Sequence, residues 1–147
     1  TMPNADTDGR VLFDIINDFV IQNPNAKSYI SLGQLKYLSC LKYVDGVVGN
    51  SSSGIIEAPS FNIGTINIGD RQRGRVKAES IIDVVPKREK IRIAIKKLFS
   101  NSFRKSLLSI NNPYGNSTGA SDEIVNVLEK ISFKDILKKE FYDLVVK

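Results

Sequence analysis

Between residues 7 and 21, Val11, Leu12, Ile15, Ile16 and Phe19 recur at the spacing of one helix face. Asp6 or Thr7 can cap this helix, and Asn23-Pro24 stops it. A short apolar run at residues 29–31 then predicts a strand, and helical spacing returns through Leu35, Leu38 and Leu41 within residues 32–43. Residues 44–49 are Val-rich and end in a Gly/Asn/Ser cluster, as a buried strand does where it stops at a functional edge. Residues 52–58 have room only for a short helix, because Pro59 disfavours helical geometry in the residue before it. Residues 65–68 and 80–85 are two further β-branched strands, separated by the loop GDRQRGR. Residues 87–100 predict a basic helix with Ile91, Ile95 and Leu98 on one face. Helices at residues 102–110, 121–131 and 133–146 complete the chain, with the loop NPYGNSTG between the first two.

Short buried strands that alternate with helices predict an α/β domain, a parallel sheet flanked by helices, over residues 1–147. Ligands of such sheets bind at the carboxyl ends of the strands, where loops lead into helix N-termini. Residues 49–57 and 69–75 are therefore the loops to weigh.

Composition narrows the chemistry. A chain of 147 residues with ordinary apolar and charged fractions can bury one core, which excludes disordered and fibrous classes. It has no apolar run long enough to span a bilayer and no signal pattern in its first residues, so a soluble, cytoplasmic protein with no membrane-spanning segment is expected. Cys40, the only cysteine, lies in an apolar helical stretch and is expected to be buried filler. The chain holds no histidine, so Ser/His and Cys/His nucleophilic pairs and imidazole metal sites cannot be formed by these residues. A net charge of +5 leaves nucleotide, nucleic acid and anionic membrane open as partners. The opening TMPNADTDG reads like the end of a strand running into a loop, as expected of a chain that begins inside a larger protein.

The loop GNSSSG offers small residues, hydroxyls, backbone N–H groups and a following helix N-terminus, the parts of a phosphate cradle; a plain Ser/Gly turn has the same composition. Glu57 is expected near the start of a short helix, where a carboxylate either complements the helix dipole or accepts hydrogen bonds from a ribose diol. Arg71, Arg73 and Arg75 can present guanidinium forks to a diphosphate or form a solvated basic turn. Lys87, Arg88, Lys90, Arg92, Lys96 and Lys97 carry no interleaved aromatics, which favours a solvated face over a nucleic-acid patch.

Taken in order, PNAD at residues 3–6, VVGNSSSGIIEAPSF at 47–61, NIGDRQRGR at 67–75 and NPYGNSTGASDEIVNVL at 112–128 resemble the hydrolysing UDP-N-acetylglucosamine 2-epimerases of sialic acid biosynthesis. The resemblance covers essentially the whole chain. It implies the Rossmann-like C-terminal half of a two-domain GT-B fold, a UDP-sugar substrate, no cofactor, and a homo-oligomer for the full-length enzyme. It also implies that Ser51 and Ser52 bind the diphosphate with Arg71, that Glu57 takes the ribose hydroxyls, and that Asn4 reaches toward the substrate. Leu32 falls where the family contacts the base through its backbone, and Gly54 is expected to admit close approach of the chain to the ligand. The family reaction eliminates UDP and then hydrates the resulting glycal. Its carboxylates and histidine match nothing in this chain, so no catalytic residue is expected here beyond Arg71 as a stabiliser of the leaving diphosphate.

Three related readings stay open at this point: a sister epimerase acting on a UDP- or GDP-linked diacetamido-trideoxy sugar, a non-hydrolysing epimerase, and a nucleotide-binding glycosyltransferase half-domain. A nucleic-acid binder would be argued from charge alone.

Overall fold

Three short parallel strands carry the fold: β1 (Gly46–Gly49), β2 (Gly64–Ile68) and β3 (Ile81–Val84), in the order β1-β2-β3. The computed structural model describes residues 9–115, 119–132 and 134. In chain order the helices are α1 (Gly9–Gln22), α2 (Gly33–Leu41), α3 (Ser53–Ile56), α4 (Arg88–Leu98), α5 (Asn101–Ser106) and α6 (Ala120–Lys130). A 3-10 turn at Ala58–Phe61 follows α3, and another at Leu107–Ser109 follows α5. The chain forms two compact units, Thr1–Tyr114 and Gly115–Lys147. Within the described part of the second unit, α6 has Asp122 and Glu123 in its first turn and Lys130 in its last, as the helix dipole favours.

In the first unit successive residues of β2 face opposite sides of the sheet. Ile66 packs with Ile82, Ala94, Leu98, Phe103 and Leu107, so α4 and α5 cover that face. On the other face Thr65 Oγ1 donates to the Gly54 carbonyl at 2.7 Å, and Leu41, Ala58 and Ile63 form a smaller cluster with Tyr37, Leu38, Val47 and Phe61. The result is a Rossmann-like α/β arrangement, a parallel sheet with helices on both faces.

Gly46 and Gly64 lie side by side in the register of β1 and β2. Both meet Leu98 of α4 so closely that a Cβ on either would collide with its methyl groups. At the far end of β2, Asn67 Nδ2 donates to Asp83 Oδ1 at 2.6 Å, and Lys77 Nζ pairs with the same carboxylate at 2.8 Å. Burial alone would raise the Asp83 pKa; the hydrogen bonds and charge of Lys77 and the Asn67 amide outweigh it and hold the group below its ordinary value. Ser100 Oγ caps α5 by accepting from the Phe103 N–H at 3.3 Å.

Several sequence expectations are revised. Residues 29–31 form no strand, and Tyr29 and Ile30 are exposed, because a strand needs a ladder partner and none of the described segments supplies one. Cys40 is exposed, not buried; Leu41, the next residue round the helix, takes the core position. Ile95 is likewise exposed, and Ala94 and Leu98 are the buried residues of α4. The helix expected at residues 102–110 starts at Asn101 and tightens into a 3-10 turn from Leu107. All six basic residues at positions 87–97 are exposed. The helix expected at residues 133–146 and the caps Asp6 and Thr7 lie outside the described residues. No helix among the described residues is long and apolar enough to cross a membrane.

Candidate functional site

At the carboxyl end of β1 the chain leaves the sheet through Gly49, whose φ of 153° is open to glycine and strained for other residues. The loop then winds into α3. Ser51 Oγ accepts from the Ser53 N–H at 3.4 Å, and the Ser51 carbonyl accepts from the Gly54 N–H at 3.3 Å. Two of the amides that a phosphate could use are thus engaged within the loop. Ser51 is exposed and Ser52, the N-cap of α3, is half-buried and makes no side-chain cap. Both hydroxyls therefore keep their donor capacity for a ligand.

Gly54 does not stand at the cleft surface. It is buried, and a Cβ there would meet Thr65 Cγ2 at 2.7 Å. The close approach that Gly54 permits is that of α3 to β2, which corrects the expectation that it admits a ligand. Glu57 stands between two short helices: α3 ends at Ile56, so Glu57 is both the residue after its C-terminus and the N-cap of the 3-10 turn, near the start of a short helix as expected. At the start of that turn its side chain makes no cap hydrogen bond. Its Oε2 instead accepts from Ser53 Oγ, whose other neighbour is Tyr37 Oη at 2.5 Å.

These groups line one cleft of about 340 Å³, bounded by Ser31, Leu32, Gly33, Gln34, Tyr37, Ser51, Ser53 and Glu57. Leu32, the residue before α2, is half-buried there, and Gly33 has φ 64°, a left-handed turn that opens the helix entrance. Three of the residues singled out from the sequence, Leu32, Ser51 and Glu57, are therefore neighbours in space. Asn4 lies outside the described residues. A further cleft, of about 440 Å³, opens at the carboxyl ends of β2 and β3, lined by Gly69, Asp70, Asp83, Val84, Val85 and Pro86. It includes none of the singled-out residues.

Arg71 is exposed and does not line the Ser51–Glu57 cleft. Its loop is nevertheless tied to the serine loop. Gln72, only 4% exposed, donates from Nε2 to the Asn50 carbonyl at 2.8 Å. The loop turns back on itself through Arg73 N–H to Asp70 O at 2.7 Å, with Gly69 and Gly74 at positive φ. Arg71, Arg73 and Arg75 form no ion pair with any described residue. Their charges are thus available to an anion held between the two loops.

Sequence reasoning missed Gln72, Ser53, Tyr37 and Asn112. Asn112 is 4% exposed; its Nδ2 donates to Ile56 O at 2.8 Å and Ser60 Oγ at 2.7 Å, and its Oδ1 accepts from the Tyr114 N–H at 3.0 Å. Tyr114 Oη in turn donates to Val76 O at 3.0 Å, just beyond the arginine loop. The segment 112–114 therefore stitches the end of α3 to the chain leaving the second loop.

A family model described as UDP-N-acetylglucosamine 2-epimerase matches residues 1–129. The chain is 39% identical over 145 residues to GDP/UDP-N,N'-diacetylbacillosamine 2-epimerase (hydrolyzing) of Campylobacter jejuni, a match that covers 98% of this chain and 37% of that protein. It is 36% identical over 141 residues to Polysialic acid biosynthesis protein P7 of Escherichia coli, covering 96% of this chain and 36% of the relative. It is 40% identical over 82 residues to UDP-N,N'-diacetylbacillosamine 2-epimerase (hydrolyzing) of Legionella pneumophila, covering 56% and 22%. The chain spans little more than a third of the length of the first two relatives. With the family model matched across most of its length, and with the loops that carry the match brought to the carboxyl edge of a parallel sheet, the chain belongs to the UDP-N-acetylglucosamine 2-epimerase family.

Proposed function

We propose that residues 1–147 are the nucleotide-binding C-terminal domain of a hydrolysing 2-epimerase of GT-B architecture that converts UDP-N-acetylglucosamine to N-acetylmannosamine and UDP. The observation that carries this reading is the cleft in which Leu32, Ser51 and Glu57 meet, with the Arg71 loop tied to the serine loop through Gln72. A nucleoside diphosphate fits its chemistry. Backbone groups at Leu32 can meet a base edge, Glu57 can accept from a ribose diol, and the Ser51 and Ser52 hydroxyls can donate to phosphate oxygens. Arg71 supplies positive charge where the departing diphosphate gains negative charge, the one contribution to the chemical step that this chain offers.

Isothermal titration of the chain with UDP tests the reading. Glu57→Ala and Arg71→Ala are each expected to weaken UDP about tenfold, since a hydrogen bond to a charged group contributes roughly 1.5–3 kcal/mol. Unchanged affinity in both variants would dismiss the site. The chain on its own is expected to release no UDP from UDP-N-acetylglucosamine, because it lacks histidine and spans only part of its relatives. Chromatographic detection of UDP above the spontaneous rate is the outcome that refutes this.

A second reading rests on the relatives' names. The Campylobacter and Legionella proteins are diacetylbacillosamine 2-epimerases, and their identities to this chain are 39% and 40%. A UDP- or GDP-linked diacetamido-trideoxy sugar is then the substrate. Titration with GDP beside UDP separates the base preferences, and product analysis with both sugar nucleotides separates the sugars.

A further inference from the structure

One wall of the Ser51–Glu57 cleft contains a row of three hydrogen-bonded side chains from two elements. Tyr37 comes from α2, Ser53 from the first turn of α3, and Glu57 from the residue after α3. Ser53 Oγ lies 2.5 Å from Tyr37 Oη and also bonds Glu57 Oε2. Ser53 has one proton, and an ionised carboxylate can only accept. The serine proton therefore points to Glu57, and Tyr37 donates its own proton to Ser53 Oγ. The direction of the row is fixed by its last member.

Tyr37 is a firm anchor. It is half-buried and its ring packs against the cluster of Leu41, Ala58 and Ile63, so its hydroxyl is delivered from the core side of the cleft. Among the described residues Ser53 is the only hydrogen-bond partner of the Glu57 carboxylate. One oxygen is thus held in place while the other is left to a ligand. A glutamate fixed before the ligand arrives loses less side-chain entropy on binding and presents its acceptors in one geometry.

We propose that Ser53, oriented by Tyr37, is a positioning residue that fixes Glu57 and so makes the cleft select a ribonucleotide over its 2′-deoxy counterpart. This rests on the nucleotide reading given above and adds to it the sugar class and the residues that set it. Each carboxylate oxygen has two acceptor sites, so Oε2 keeps one after bonding Ser53, and together with Oε1 it meets two neighbouring hydroxyl donors. Loss of one donor leaves an acceptor partly unsatisfied in a half-buried wall, and such an unmet group is what gives a polar site its selectivity.

The test is titration calorimetry of the chain with UDP and 2′-deoxy-UDP, with thermal melting to verify folding of each variant. The wild type is expected to prefer UDP about tenfold, the equivalent of one good hydrogen bond. Ser53→Ala should shrink that preference to about twofold or less by weakening UDP selectively, and Tyr37→Phe should act in the same direction. Ser53→Thr keeps the hydroxyl and should restore the preference. In a Glu57→Ala background, Ser53→Ala should have no further effect. Equal weakening of both nucleotides by Ser53→Ala, or full additivity with Glu57→Ala, overturns the proposal. If Glu57→Ala abolishes the preference while Ser53→Ala leaves it intact, the positioning role falls and the nucleotide site stands. Wild-type chain that binds neither nucleotide removes both.

Discussion

Gly64→Ala is expected to lower the stability of the chain by about 2 kcal/mol, a cost in the usual range for forcing one carbon into a packed core. The added Cβ would sit 2.5 Å from Leu98 Cδ1 and 2.7 Å from Phe103 Cε1. Both partners are side chains, and a side chain at the surface would swing aside. These two cannot. Leu98 is 3% and Phe103 8% exposed, and both belong to the cluster that joins Ile66 and Ile82 to α4 and α5. Leu98 also lies over Gly46, the register partner of Gly64, where a Cβ would meet its other methyl at 2.6 Å, so the same side chain is seated on both glycines. Against this stands a gain of roughly 0.4–1 kcal/mol from the stiffer unfolded chain when glycine becomes alanine, which the collision must exceed. Chemical denaturation monitored by far-ultraviolet dichroism gives the midpoint shift, and an unchanged slope certifies that the compared states are the same. Leu98→Ala costs stability on its own by leaving a cavity, but in that background Gly64→Ala should cost less than in the unaltered chain, because the contact with Leu98 is gone and only that with Phe103 is left. A loss under about 0.5 kcal/mol in the otherwise unaltered chain would show that α4 is not seated on the glycine pair as described.

The alternation of strands and helices was legible because it is a local property. Val47, Ile66 and Ile82 sit in β-branched runs bounded by glycine, asparagine or proline, and each run became a strand of the parallel sheet. Residues 29–31 have the same local character and are no strand, since the ladder partner that would decide the matter is not written in the run itself. Cys40 and Ile95 show the same limit on helices: periodicity names a stripe, and which edge of the stripe is covered depends on the neighbouring element. Of the candidate site, the serine loop and its place after β1 could be read from small residues following a Val-rich run. Glu57 could be flagged by chemistry, yet its partner could not. Tyr37 lies 16 positions from Ser53, and only the packing of α2 against the sheet brings the two hydroxyls together. Gln72 was hidden among three arginines in a loop that reads as solvated, whereas its burial comes from contact with a carbonyl 22 residues earlier. Gly54 was assigned to the ligand because glycine allows close approach, and the chain uses that allowance inward, against Thr65.

Asn112→Ala should cost the fold about 3 kcal/mol and weaken the nucleotide site with it, since removing this one buried side chain breaks three hydrogen bonds at once. The amide gives both its protons away, to the Ile56 carbonyl and to Ser60 Oγ, and its oxygen holds the Tyr114 N–H. Alanine supplies none of these, and water reaches the 4% exposed position of Asn112 poorly, so the half-buried Ile56 carbonyl loses a partner that it does not easily replace. Asn112→Asp is the sharper variant. It has the same shape but no protons to donate, and it sets a negative oxygen against the Ile56 carbonyl, so it should be at least as damaging as alanine despite filling the space. A mere packing role predicts the reverse, with aspartate tolerated and alanine not. The functional consequence follows from position: Ile56 precedes Glu57 in the chain, and Ser60 closes the 3-10 turn's backbone onto the Glu57 carbonyl at 3.0 Å. Releasing that turn frees the backbone that carries Glu57. UDP affinity measured well below the melting temperature should therefore fall in Asn112→Ala by several-fold, short of the loss in Glu57→Ala. Denaturation midpoints and calorimetry on the same preparations decide the matter. If alanine and aspartate both leave the midpoint within about 0.5 kcal/mol of the unaltered chain, the segment 112–114 is not the stitch between the two loops.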